Sequence, residues 1–249
     1  MKKYIESFLL MLQFMTRIPI NINLPCEGED FRRGAAFLPV VGGVIGSMQW
    51  IIYYLLIQKL PMIVAAVFIV LTGILVTGAL HVDGLGDTCD GFFAFKGKDR
   101  IIEIMKDSRI GTYACIALVF DILIKVSSLS CIADTTAALV IIAAPIISRA
   151  ALITLAFIGK PAKKTGSGNL FIENAGKKEA VIAVLTALII SCLLIGIKEG
   201  TILIAASLVL TYLFNKFCES KIGGITGDNL GANNELVEML VLVMFAAMI

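Results

Sequence analysis

Residues 61–91 read PMIVAAVFIVLTGILVTGAL-HVDGLGDTCDG: twenty residues without a charge, then eleven that hold three aspartates. The first part is long enough to cross a hydrocarbon core of about 30 Å. The second places Asp83, Asp87 and Asp90 four and then three residues apart. On a helix that spacing sets all three carboxylates on one face. An acidic cluster at the end of a membrane helix is costly and therefore functional by expectation. The reading is a divalent metal held by these aspartates and phosphates held by the metal. Hard oxygen donors suit Mg²⁺, which takes a few carboxylates plus substrate phosphate oxygens. The competing reading is a solvated acidic helix end. Gly84, Gly86 and Gly91 leave room for phosphate or backbone to approach.

Working outward, the whole chain carries the same signature. It has 249 residues, is 58% hydrophobic and has a mean hydropathy of +0.93, well above a soluble domain. The expected fold is all-α: a polytopic membrane helical bundle forming a single catalytic domain over 1–249. About seven spans are predicted, at 35–58, 61–80, 110–132, 135–158, 179–197, 201–217 and 235–249. Before them, 4–15 has an apolar stripe (Ile5, Phe8, Leu9, Leu12, Met15) too short to span, so an interfacial or re-entrant helix is expected. Residues 21–33, 81–109, 159–178 and 218–234 read as polar loops. The first residues do not read as a cleavable signal, since Arg17 and Pro19 interrupt them.

Charge sets the orientation. Of the 21 Lys and Arg residues, Lys59 and Lys198 lie on one side, Lys125 and Arg149 lie inside spans, and all the rest lie on the other. The basic side is cytoplasmic. That puts the N-terminus inside, the C-terminus outside, and the Asp cluster facing the cytoplasm from the inner membrane. A net charge of +2 makes no case for nucleic acid. The six cysteines include no CxxC pair and read as free thiols; the one histidine, His81, excludes a His-based metal site and reads as a capping or hydrogen-bonding side chain.

Other candidates surround the cluster. Lys106 and Arg109, in Lys106-Asp107-Ser108-Arg109, would share a face if helical and suit a pyrophosphate. Asp121 and Lys125, one turn apart, read as a mutual pair. Arg149, alone in an apolar span, needs an acid from another helix or a bound anion. Residues 223–235, with Gly227, Asp228, Asn234 and Glu235, read either as a connector or as a backbone-rich wall for phosphate or sugar. Gly166-Ser167-Gly168 lacks the lysine and serine of a P-loop.

Three stretches together carry a resemblance: the Asp-rich segment, Glu103-Ile104-Met105-Lys106-Asp107-Ser108-Arg109-Ile110-Gly111-Thr112, and Gly227-Asp228-x-x-Gly231-Ala232-x-x-Glu235. With Phe14-Met15-Thr16-Arg17-Ile18-Pro19, residues 37–43 and Ser148-Arg149, they are similar to the cobalamin synthase family, the adenosylcobinamide-GDP ribazoletransferases. Cys89, Phe92 and Phe93 depart from the smaller residues expected there. The resemblance implies that adenosylcobinamide-GDP reacts with α-ribazole or its 5′-phosphate to give adenosylcobalamin or its phosphate plus GMP, with Mg²⁺. Asp83, Asp87 and Asp90 would hold metal, and one of them or Asp228 would take the hydroxyl proton. Arg17, Lys106, Asp107, Ser108, Arg109, Arg149, Gly227, Asn234 and Glu235 would contact substrate. Membrane lipid is the remaining expected partner, and homo-oligomerisation is left open. A lipid phosphotransferase of the CDP-alcohol type would also use spaced aspartates, but its Asp-Gly-x-x-Ala-Arg element is missing. An ion-coupled transporter would use Asp121, Lys125 and Arg149.

Overall fold

A computed structural model describes residues 2–132, 137–163, 166 and 168–249. Thr135, where the fourth span was expected to begin, and Ser167 lie outside them. Among the described residues the regular structure is helical, and the one β-contact is an isolated parallel bridge between Pro161 and Ile225. The expected all-α membrane bundle is the fold.

The chain begins with α1, Lys2–Met15, and α2, Gly28–Ala35. At 1.5 Å per residue α1 is about 21 Å long, too short to cross a bilayer. Its Leu10, Met11 and Met15 are buried while Tyr4 and Ile5 are exposed. α2 falls within a stretch read as loop. Its start is fixed by a capping box, in which Asp30 accepts from the Glu27 backbone N–H at 3.2 Å.

Among the described residues five helices are long and apolar enough to cross a membrane: α3 (Leu38–Leu56), α7 (Thr112–Ser130), α8 (Val140–Ile158), α10 (Lys177–Ile195) and α11 (Ile197–Ile222). α8 is the axis, buried along most of its length. Gly42 and Gly46 put the backbone of α3 directly against Pro145 and Ile142 of α8, where any Cβ would collide. Outward faces carry Ile51, Leu55, Phe120, Leu123, Ile189, Leu193, Val209 and Leu213, all exposed. Such a continuous apolar rim belongs against lipid.

The remaining spans differ from expectation. α4 (Met62–Thr77) is followed after two residues by α5 (Leu80–Phe92), bent from it by 91°; together they make at most a sixth span. Gly78 and Ala79 both adopt left-handed backbone (φ +61° and +60°), which ends one helix and starts the other at a right angle. A helix perpendicular to a membrane-crossing neighbour runs along the membrane face. The expected loop 81–109 is therefore α5 and α6 (Lys98–Ile104), with only short turns around them. The short helix α9 (Asn169–Asn174) interrupts the next predicted loop. The expected loop 218–234 is corrected most: α11 continues to Ile222 and α12 spans Gly227–Ala246. α12 is too polar in its first half to face lipid, and Asn229, Asn233, Asn234 and Glu235 are buried in protein instead. Its N-terminus is a capping box between Thr226 and Asn229.

Candidate active site

α5 and α12 cross where both helices are smallest. A Cβ on Gly84 would lie 2.6 Å from the Asp228 carbonyl oxygen, and one on Gly231 would lie 3.1 Å from the His81 carbonyl oxygen. Gly84 thus admits backbone, one of the two uses its sequence position allowed. Asn229 locks the crossing by donating to Thr88 Oγ1 at 3.1 Å. The effect is to bring Asp228 beside the three aspartates of α5.

Those three aspartates do different things. Asp90 accepts from the backbone N–H groups of Gly111 (2.6 Å) and Ala114 (2.8 Å). It therefore caps α7, satisfying donors that a helix start leaves unpaired. Asp83 and Asp87 make no such bond. Burial, with the negative charges of Asp83, Asp228 and Asp90 around it, pushes the Asp87 carboxyl up to about 7. Among the described residues no three acids converge on a single point. The three-aspartate metal site is thus not preformed here; the donors free for an ion are Asp83 and Asp87.

An open cleft of about 370 Å³ runs along this face, lined by Asp83, Asp87 and Asp90 on one side and by Lys106, Asp107, Ser108 and Arg109 on the other. α6 ends at Ile104, so Lys106 and Arg109 lie on a turn, not on a shared helical face. Arg109 donates to both Asp107 carboxylate oxygens, at 3.0 and 2.6 Å, and holds that carboxyl down to about 2. Both side chains are exposed at the cleft rim.

Asp83 also borders a second, smaller pocket of about 110 Å³, together with His81, Gly227, Asp228 and Gly231. Its other walls are apolar. Asp228 accepts from Thr226 Oγ1 at 3.1 Å, and Lys163 Nζ stands 4.0 Å from it. Lys163 was not anticipated from sequence.

Four expected substrate contacts lie elsewhere. Arg149 is buried and pairs with Glu238 of α12, while donating to Ser148 Oγ at 2.9 Å. Its partner is an acid from another helix, one of the two outcomes its sequence required. Glu235 pairs with Lys125, which lies 3.0 Å from Asp121 and 3.5 Å from Glu238. Asn234 donates to Glu235 (3.0 Å) and Glu238 (3.3 Å). These groups form an interior ion network joining α7, α8 and α12, and do not line the cleft. Glu238 was missed, although an acid three residues after Glu235 in an apolar run was the available signal. Arg17 packs its stem on Gly78 at the α4–α5 bend, and its backbone N–H donates to the Val76 carbonyl at 2.7 Å.

Comparison with known proteins identifies the family. No solved structure matches the chain. The chain is 54% identical to a protein of Clostridium tetani named adenosylcobinamide-GDP ribazoletransferase, over 99% of this chain and 98% of that one. A protein of the same name from Clostridium kluyveri is also 54% identical, over 100% and 99%. One from Clostridium botulinum (strain Langeland) is 46% identical over the full length of both. A sequence profile for cobalamin-5-phosphate synthase matches residues 7–246, and the chain belongs to that family.

Proposed function

We propose that this chain transfers the adenosylcobinamide phosphate group from adenosylcobinamide-GDP to α-ribazole or α-ribazole 5′-phosphate, releasing GMP. The observation that carries this reading is the junction at Asp83. A carboxylate-lined cleft with a basic rim meets a second, apolar-walled pocket there, so a pyrophosphate and an acceptor hydroxyl can be held side by side.

A ribose hydroxyl of the acceptor attacks the phosphorus on the corrinoid side. The P–O bond to GMP breaks, GMP takes the electron pair, and the hydroxyl proton passes to a carboxylate. Such a transfer depends on alignment and charge neutralisation. Lys106 and Arg109, at the cleft rim, would neutralise the diphosphate, with Asp107 fixing the guanidinium. Asp228, steadied by Thr226 at the acceptor side, is placed to accept the proton. The donor set fits Mg²⁺: two hard carboxylates, Asp83 and Asp87, in a cluster whose mutual repulsion is relieved by a cation. When bound, the ion supplies charge neutralisation at the diphosphate oxygens. Asp90 supports the site by capping α7.

The cleft lies with most of the basic residues, so by the positive-inside rule it faces the cytoplasm from the inner membrane. The N-terminus is then inside, and α12, shielded by protein along its polar half, carries the C-terminus across.

The detergent-solubilised protein, mixed with both precursors, should yield the complete cobamide and GMP with Mg²⁺ and neither with EDTA. Asp83→Asn and Asp87→Asn should abolish turnover with membrane insertion intact. Release of CMP from a CDP-alcohol, or wild-type turnover in both variants, would overturn the reading.

A further inference from the structure

The two substrates differ in what they ask of a surface, and the two depressions that share Asp83 differ in the same way. A diphosphate needs cations, and the cleft has them at its rim. The smaller pocket offers none among its walls. It is closed by Phe14 of α1, Leu80 of α5, Leu152 of α8, Phe171 of α9 and Leu230 of α12, with Asp83 and Asp228 as its carboxylates. Phe14, Phe31 and Phe171 pack on one another with ring centroids 5.2–5.5 Å apart, which makes that wall rigid.

Resting on the transfer reaction proposed above, we infer that this pocket is the acceptor subsite and takes the aromatic base of the α-ribazole, with its ribose toward Asp83 and Asp228. The donor nucleotide then belongs to the cleft. Guanine presents an edge of several hydrogen-bonding groups, and a site for it needs matching side chains, because unpaired polar groups are costly to bury. Guanine's O6 and N7 acceptors would find no lysine, arginine or amide donor among the pocket's side chains. A methyl-substituted benzimidazole riboside carries no exocyclic polar group and one free ring nitrogen. His81 is among the lining residues, and its Nε2 is buried without a hydrogen-bond partner. A volume of about 110 Å³ excludes a corrinoid.

Phe14 and Leu80 are the walls to change, because both keep an exposed edge, at 36% and 43%; Leu80 is the cleaner of the two, since Phe14 also packs on Phe31 and Phe171. In Phe14→Ala and Leu80→Gln the KM for α-ribazole should rise about tenfold or more while the KM for adenosylcobinamide-GDP stays within twofold. Leu80→Trp should shift preference from the dimethylated riboside to the unsubstituted benzimidazole riboside. Titration of α-ribazole alone onto the purified protein should show binding that all three variants weaken. This titration needs no turnover, so it separates failure of the subsite from failure of the reaction. A rise in the donor KM instead, equal rises in both, no change in either, or unaltered α-ribazole binding would each overturn the assignment.

Discussion

Adding one methyl group to Gly84 tests the geometry on which the site rests. In Gly84→Ala the new Cβ would stand 2.6 Å from the Asp228 carbonyl oxygen and 3.1 Å from its Cα. Both are backbone atoms inside a helix start and cannot rotate away. Restoring 3.4 Å, where ordinary contact begins, requires α12 to move about 0.8 Å from α5. Overpacking of this kind costs about 1–3 kcal/mol. That displacement carries Asp228 away from Asp83, and misplacement of about 1 Å lowers rates by about 10²-fold. The control is two residues away on the same helix. A Cβ on Gly86 would meet Ala114 Cβ at 3.5 Å, an ordinary contact, and alanine favours the helix by about 1 kcal/mol over glycine. GMP release and thermal unfolding in detergent should show G84A nearly inactive and a few degrees less stable, and G86A more active than G84A and no less stable than the parent. Equal activity in the two would refute a close α5–α12 crossing as the element that assembles the site.

Asp90 caps a helix, so Asp90→Asn, which keeps an acceptor oxygen, should lose far less activity than Asp87→Asn, whereas Asp90→Ala should lower stability by about 1 kcal/mol; matched losses in D90N and D87N would assign Asp90 to the metal. Below pH 7 a proton competes for the Asp87 carboxyl, so the Mg²⁺ concentration for half-maximal rate should rise about tenfold per unit of pH lost and level off above pH 7; a Mg²⁺ requirement independent of pH from 6 to 8 would separate Asp87 from the ion. Arg149→Met leaves Glu238 buried with one basic partner fewer and should cost about 3–5 kcal/mol in thermal or denaturant unfolding, with Arg149→Met/Glu238→Gln recovering a large part; additive losses would deny the coupling.

Much of the lining of the acidic cleft could be read directly from residue order. The spacing of Asp83, Asp87 and Asp90, and the Lys106–Arg109 run, are local patterns, and they do line one cleft. What sequence could not supply was the use made of each group. Asp90 looks like its neighbours on the helix, yet its partners, Gly111 and Ala114, are more than twenty residues away. Residues 223–234 looked like a loop because glycine and asparagine disfavour isolated helices. Burial against α5 and α8 overrides that propensity, and Gly231 is there to let α5 approach. The 91° turn escaped notice because Ala79, with φ +60°, gives no sign of left-handed backbone. The ion network was half legible: Lys125 and Arg149 in apolar runs required acids, and Glu235 and Glu238 were the acids in the last run. Only the three-dimensional packing shows that they pair with one another.

α12 begins with Asp228 at the reaction face and, within three turns, carries Glu235 and Glu238 into salt bridges deep between α7 and α8. The water-facing chemistry is therefore anchored by bonds made in the hydrocarbon layer. Trimming the protein to a soluble catalytic fragment would remove the anchor and let the first turn of that helix drift. Here the bilayer part is the foundation of the enzyme, so its membrane segments should tolerate exchange for generic apolar helices no better than the aspartates tolerate exchange for asparagine.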